Sequence, residues 1–178
     1  MLRSVAHMIQ LAFEPAFDPF HAAFRILRQM EFRDGALIEI ARTKILDVYV
    51  AEPRRCLDIR VPPAFKRQAR LAADCQPPTY GRRPSAHVFF NRMSPMQDAA
   101  IQTLVSHDLL DADAFERGQA LRSVRKLADG LAEHIAVANE NQRDLMDFLF
   151  VTLDEIPFNG PNGLKARTSL GEFRYDIV

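Results

Sequence analysis

Two cysteines, Cys56 and Cys75, are the only thiols in the chain. Two cannot build a disulfide framework or a cysteine-rich zinc site, and no CxxC or HxxxH stands beside them. They read as reduced core or surface thiols of a protein kept in a reducing cytoplasm. Net charge is missing as well. The 23 Lys and Arg balance the 23 Asp and Glu, which excludes a wholly basic nucleic-acid binder and an acidic tail protein. Nor is there an unbroken apolar run. The stretch after Arg3 is interrupted by His7, Gln10 and Glu14, so neither a signal peptide nor a membrane span is expected.

Signatures of common active sites are also lacking. No Gly-rich loop ends in Lys-Ser or Lys-Thr, no GxGxxG follows a strand, and no GxSxG elbow occurs. The five histidines, His7, His21, His87, His107 and His134, share no ligand-like spacing. Asp108, Asp111 and Asp113 cluster, but helix capping accounts for at least one of them, and a cation cage needs three or more converging oxygens. Glu140, Asp144 and Asp147 fall on one helical face, where solvated carboxylates are a simpler reading than paired acid–base groups. No catalytic residue, cofactor or metal ligand is assigned.

What is present is the material of a core. The 178 residues are 48% hydrophobic and 26% charged, which suits a folded domain and not a disordered chain. Asp18-Pro19 reads as a capped helix start. Phe20, Ala23, Phe24, Leu27 and Met30 then share one face, His21, Arg25, Arg28 and Gln29 the other, and Gly35 ends the segment. A second amphipathic helix is expected over 36–50, stopped by Pro53 and packed antiparallel on the first. Six prolines punctuate 51–84 and leave only 63–73 for a helix.

Val88-Phe89-Phe90 reads as a short strand. Ser94-Pro95 signals a third helix ending near His107, and Asp111 or Asp113 a fourth running to about Val137. Asn139 with Gln142 resembles a capping box. It precedes a segment apolar nearly all round over 145–153, which implies burial on several sides or an exposed patch awaiting a partner. After Pro157, turn signals lead into Leu170, Phe173 and Tyr175, a hairpin or strand pattern. The expected fold is mostly α (α+β), one helical domain over 1–178. A small β element is placed near 86–91 or in the tail, and a winged-helix-like arrangement fits 94–137. The parts are a helical pair at 1–53, a basic loop-rich connector at 54–92, a helical part at 93–157 and a tail at 158–178.

The charge balance conceals a gradient. Residues 54–92 carry nine basic side chains against Asp58 and Asp74, whereas 93–178 carry eight basic and fourteen acidic. Arg54, Arg55, Lys66, Arg67, Arg70, Arg82 and Arg83 are therefore candidates for DNA or an acidic partner. Two further segments concentrate interface-type residues: Glu14–Arg25, extended to Arg28, and the tail. They nominate Phe17, Phe20, Arg25, Arg28, Arg167, Arg174 and Tyr175 for partner binding.

Pro15 to Arg28, followed by Lys44-Ile45-Leu46-Asp47-Val48-Tyr49 with Pro53, resembles the opening of middle components of bacterial ABC-three-component conflict systems. So do Met93-Ser94-Pro95-Met96-Gln97 through Leu109-Leu110, and the ending Gly163-Leu164-Lys165-Ala166-Arg167-Thr168 with Phe173-Arg174-Tyr175-Asp176. The resemblance covers both ends and one central helix. It implies a small non-catalytic subunit, similar to the bridging subunit of Lamassu-type defence complexes. Such a subunit docks an effector, often a nuclease, on an SMC- or Rad50-like ATPase. The complex contacts DNA and acts against phage or plasmids in the cytoplasm, with no membrane partner. The residues alone leave one alternative, a stand-alone winged-helix DNA-binding transcriptional regulator using 54–92 on phosphates.

Overall fold

The computed structural model describes residues 14–77 and 83–170. Helix α1 spans Pro19–Phe32. Asp18 caps it, its Oδ1 accepting the His21 backbone N–H at 2.9 Å. That bond, with the His21 ring, holds the Asp18 carboxyl below its usual pKa. The reading of this start from Asp18-Pro19 holds. Helix α2 covers Ile40–Ala51, and α3 covers Lys66–Asp74. Helix α4 runs over Ala86–Ser106, α5 over Ala112–Glu116 and α6 over Asp129–Asn141. Helix α7 spans Arg143–Asp147 and α8 spans Leu164–Thr168.

Among the described residues the fold is mostly α with one small β element, which lies neither near 86–91 nor in the described part of the tail. Strand β1 (Ile38–Glu39) pairs antiparallel with β2 (Gln119–Ala120), Ile38 facing Ala120. Residues 88–90 are helical instead. Helix α4 is capped by Ser85, and its Phe89 and Met93, one turn apart, are both fully buried. Ser94-Pro95 is consequently mid-helix, not a start. Pro95 deprives the Asn91 carbonyl of its donor, and both residues are exposed, where water can serve that carbonyl. Because β2 pairs with β1 and not with a strand that follows it, no wing hairpin forms among the described residues.

The long helix expected from Asp111 also breaks. Asp111 does cap α5, accepting from the Ala114 N–H at 2.7 Å. The helix stops at Glu116, and Gly118 takes φ +74°, a left-handed value that suits glycine. Asp111→Ala is expected to lose about 1 kcal/mol; urea unfolding reads it, and no loss would remove the cap's role.

The connector at 54–92 is less loop-rich than its prolines suggest. Pro53–Asp58 and Pro63–Phe65 are 3-10 turns that start on prolines, and α3 follows directly. Helix α3 packs on the Pro53–Asp58 turn and on α7, while α1 packs on α4, α6 and α2. Asn139 and Gln142 form no N-terminal cap; they serve Arg28, as described below.

After α7 the helix widens into a π turn at Phe148–Thr152 and a 3-10 turn at Leu153–Glu155. Leu145, Met146, Phe148, Leu149, Phe150, Leu153 and Ile156 are all buried by the chain itself. Val151 is the one strongly exposed apolar residue there. The expected exposed apolar patch at 145–156 is thus corrected: the all-round apolarity reflects burial on several sides. In the tail, 164–168 are helical, and Gly163 is required because a Cβ would lie 2.3 Å from the Asn159 carbonyl oxygen. Phe173 and Tyr175 lie outside the described residues.

Candidate partner-binding surface

Three of the arginines nominated for partners, Arg25, Arg28 and Arg55, are buried. Arg25 Nε donates to Asp47 Oδ1 at 2.7 Å, Nη2 to Oδ2 at 3.0 Å, and Nη1 to the Pro15 carbonyl at 3.1 Å. The expectation that Arg25 faces solvent is overturned because α2 presents a fully buried carboxylate opposite it. Arg28 is buried too, donating to Asn139 Oδ1 and Gln142 Oε1, each at 2.9 Å. Burial lowers the pKa of its guanidinium. Arg55, also buried, pairs with Glu52, donates to the Pro84 carbonyl at 3.1 Å and lies 4.4 Å from the Phe89 ring centroid. Arg55 therefore does not share an outer face with Arg67 and Arg70.

Arg54 is half-buried. It donates to the Gln76 carbonyl at 3.3 Å and stands 4.0 Å from Asp74. Arg167 donates to the carbonyls of Asn162 at 2.7 Å and Arg60 at 2.6 Å, while the Arg60 N–H donates to the Arg167 carbonyl at 3.1 Å. This clasp ties the tail to the stretch before α3. Phe17 is half-buried, with its ring 5.3 Å from that of Phe89 and 3.9 Å from the Arg92 guanidinium carbon. Arg82, Arg174 and Tyr175 lie outside the described residues.

Four basic nominees and one aromatic remain at the surface. Phe20 is 81% exposed at the first turn of α1. Lys66, Arg67, Arg70 and Arg83 are exposed, and none of their side chains makes a hydrogen bond or ion pair with a described residue. Lys66 and Arg70, one turn apart on α3, border a groove of about 330 Å³. Its apolar surface comes from Leu57, Ile59, Val61 and Ala69. Leu57 and Val61 were not singled out from the sequence. Their signal was the alternation Leu57-Asp58-Ile59-Arg60-Val61, which sets apolar side chains between charged ones.

A larger concavity, about 540 Å³, lies between the end of α1, α6 and α7. Its charges are compensated internally. Arg143 reaches Asp147 at 3.0 Å and Glu140 at 3.9 Å and sits 5.4 Å from the Phe32 ring centroid. The carboxylates at 140 and 147 thus pair with the arginine between them.

No group of His, Cys, Asp or Glu among the described residues could hold a metal ion. No described helix is long and apolar enough to cross a membrane. Burial raises the pKa of both thiols, and Cys56 is fully buried where Cys75 is half-buried. We expect Ellman's reagent at neutral pH to label Cys75 slowly and Cys56 only on unfolding. Rapid labelling of two thiols in the native protein would contradict this burial.

Comparison with curated proteins finds no match, and comparison with solved structures finds none. The family described as ABC-three component (ABC-3C) system Middle Component 5 matches residues 11–176. That span takes in α1 to α8, the basic groove and the buried arginine ties. The chain therefore belongs to the ABC-three component system Middle Component 5 family.

Proposed function

We propose that this chain is the non-catalytic adaptor that bridges an SMC- or Rad50-like ABC ATPase and an effector, a nuclease, in a bacterial defence complex acting on phage or plasmid DNA. The observation that carries the reading is the family match over residues 11–176, which makes the chain a middle component of a multi-component system. An adaptor needs binding surface and no reaction centre. Two exposed features suit that need: Phe20 at the head of α1, and the basic groove on α3. Aromatic side chains at a protein surface carry a disproportionate share of interface energy. Arg25 and Arg28 act in this scheme by fixing α1, so that Phe20 is presented from a rigid helix.

The test is co-expression with the products of the two neighbouring genes, followed by affinity and size-exclusion chromatography. The expected result is one assembly containing all three chains. A chain that elutes alone and binds neither product sinks the reading. Within the same experiment, Phe20→Ser is expected to change stability by no more than about 0.5 kcal/mol. It should lower recovery of one component. Full recovery with Phe20→Ser removes this residue from the interface.

A further inference from the structure

We propose that the groove beside α3 binds a short acidic segment of another component of the complex, one that also carries an aliphatic anchor residue. The proposal rests on the adaptor reading for the source of that segment, and on the groove alone for its chemistry.

Lys66 and Arg70 are exposed on the rim, and neither side chain has an ion-pair partner among the described residues, so the groove presents uncompensated positive charge there. Its apolar lining reaches solvent through Leu57, 49% exposed, and the half-buried Val61. Side chains of both kinds, set together in a cavity of about 330 Å³, match an aliphatic side chain flanked by carboxylates. Phosphates alone would leave the apolar lining unused.

The extent of the charge separates a peptide from a duplex. Helix α3 rises about 6 Å between Lys66 and Arg70, which is one turn. One turn further the same row meets Asp74, whose side chain is 74% exposed and no nearer than 4.0 Å to Arg54. Asp58, next to Leu57 in the chain, is exposed as well. The positive strip on α3 is thus short and ends on a carboxylate. A nucleic-acid backbone tracking along it would run into negative charge, and tight duplex binding draws on about 6–10 phosphate contacts. A segment of a few acidic residues matches a strip of that length.

The experiment uses the full chain and two fluorescein-labelled probes in about 0.15 M salt. One probe is a ten-residue peptide of Glu and Ser with a single central Leu; the other is a twenty-base-pair duplex. Fluorescence anisotropy should show saturable peptide binding that weakens about tenfold or more in K66E/R70E. The Leu57→Ser chain, or a peptide with Ser in place of its Leu, should weaken it as well. All three side chains are exposed, so circular dichroism melting of the variants should match the parent. The neutral K66Q/R70Q chain, with less electrostatic disturbance, should give the same ranking if the reversed chain melts early.

Equal peptide affinity for parent and variants overturns the proposal. So does a peptide that does not saturate, or a duplex that binds through the same residues more tightly than the peptide. Co-purification with the other components is scored separately. A chain that joins its complex but ignores the peptide overturns the groove assignment alone. A chain that binds the peptide through Lys66 and Arg70 but joins no complex overturns the adaptor reading alone.

Discussion

Asp47→Ala is expected to cost about 3–5 kcal/mol, a large part of the 5–15 kcal/mol typical of a whole domain. Asp47 is fully buried and accepts three hydrogen bonds: two from Arg25, at 2.7 and 3.0 Å, and one from Gln97 Nε2 at 3.0 Å. Removing the carboxylate leaves the Arg25 guanidinium buried with the Pro15 carbonyl as its remaining partner. An uncompensated buried charge is the expensive outcome, whereas an apolar pair of similar volume is not. The double variant Arg25→Met with Asp47→Leu should therefore recover most of the loss. Arg25→Glu should be as damaging as Asp47→Ala, since it sets two carboxylates against each other. Urea unfolding of the three variants decides it. A single Asp47→Ala cost below about 1 kcal/mol would mean that the pair is not the tie described here.

That expectation reverses what helical periodicity alone implies. On a wheel Arg25 and Arg28 fall opposite Phe20, Phe24 and Leu27, and so read as a solvent face. The structure inverts part of the wheel: Phe20 is exposed and both arginines are buried. The reason lies outside the local sequence. Asp47 is 22 positions from Arg25, and Asn139 is 111 positions from Arg28. Periodicity records polarity but carries no information about a distant partner that makes burial of a charge tolerable. The aspartate caps of α1 and α5 were legible for the opposite reason, since each acts within three residues.

The β element shows the same divide. Each strand has two residues, too few to display a period of two, and the pairing joins Ile38 to Ala120 across nearly half of the chain. Val88-Phe89-Phe90 reads as a strand because three large apolar residues sit in a row, yet a helix buries Phe89 and leaves Val88 exposed. The basic surface was legible as composition over 54–92. Which of its arginines reach solvent was settled by the fold, through Glu52 and the Pro84 carbonyl for Arg55 and by the open outer face of α3 for Arg67 and Arg70.

Phe89 holds together three pieces of chain that sequence reading kept apart, and its truncation is the second large effect expected. Its ring is fully buried on α4. One side meets Phe17, whose ring centroid is 5.3 Å away at 58°, and Arg55 lies 4.4 Å from the Phe89 centroid. The Arg92 guanidinium carbon sits 3.9 Å from the Phe17 ring centroid, so cation, ring, tilted ring and cation form one row of contacts, a tilted stack. The stack joins the 3-10 turn at Pro15–Phe17, helix α4 and the Pro53–Asp58 turn. Phe89→Ala removes the central ring, opens a cavity and takes the aromatic face from a buried guanidinium, for an expected loss of about 3–5 kcal/mol. For a chain of this size that corresponds to a fall in melting temperature of roughly 6–20 °C. Phe89→Leu keeps most of the volume and should lose only about 1–2 kcal/mol, the share that belongs to ring geometry and the cation–ring contacts. Phe17→Ala should cost less than Phe89→Ala, because Phe17 is half-buried. Calorimetry on the three variants gives the order Phe89→Ala, then the other two. A Phe89→Leu loss equal to that of Phe89→Ala would place the whole effect in ring contacts, and a Phe89→Ala loss under about 1 kcal/mol would show that the stack does not hold these elements together.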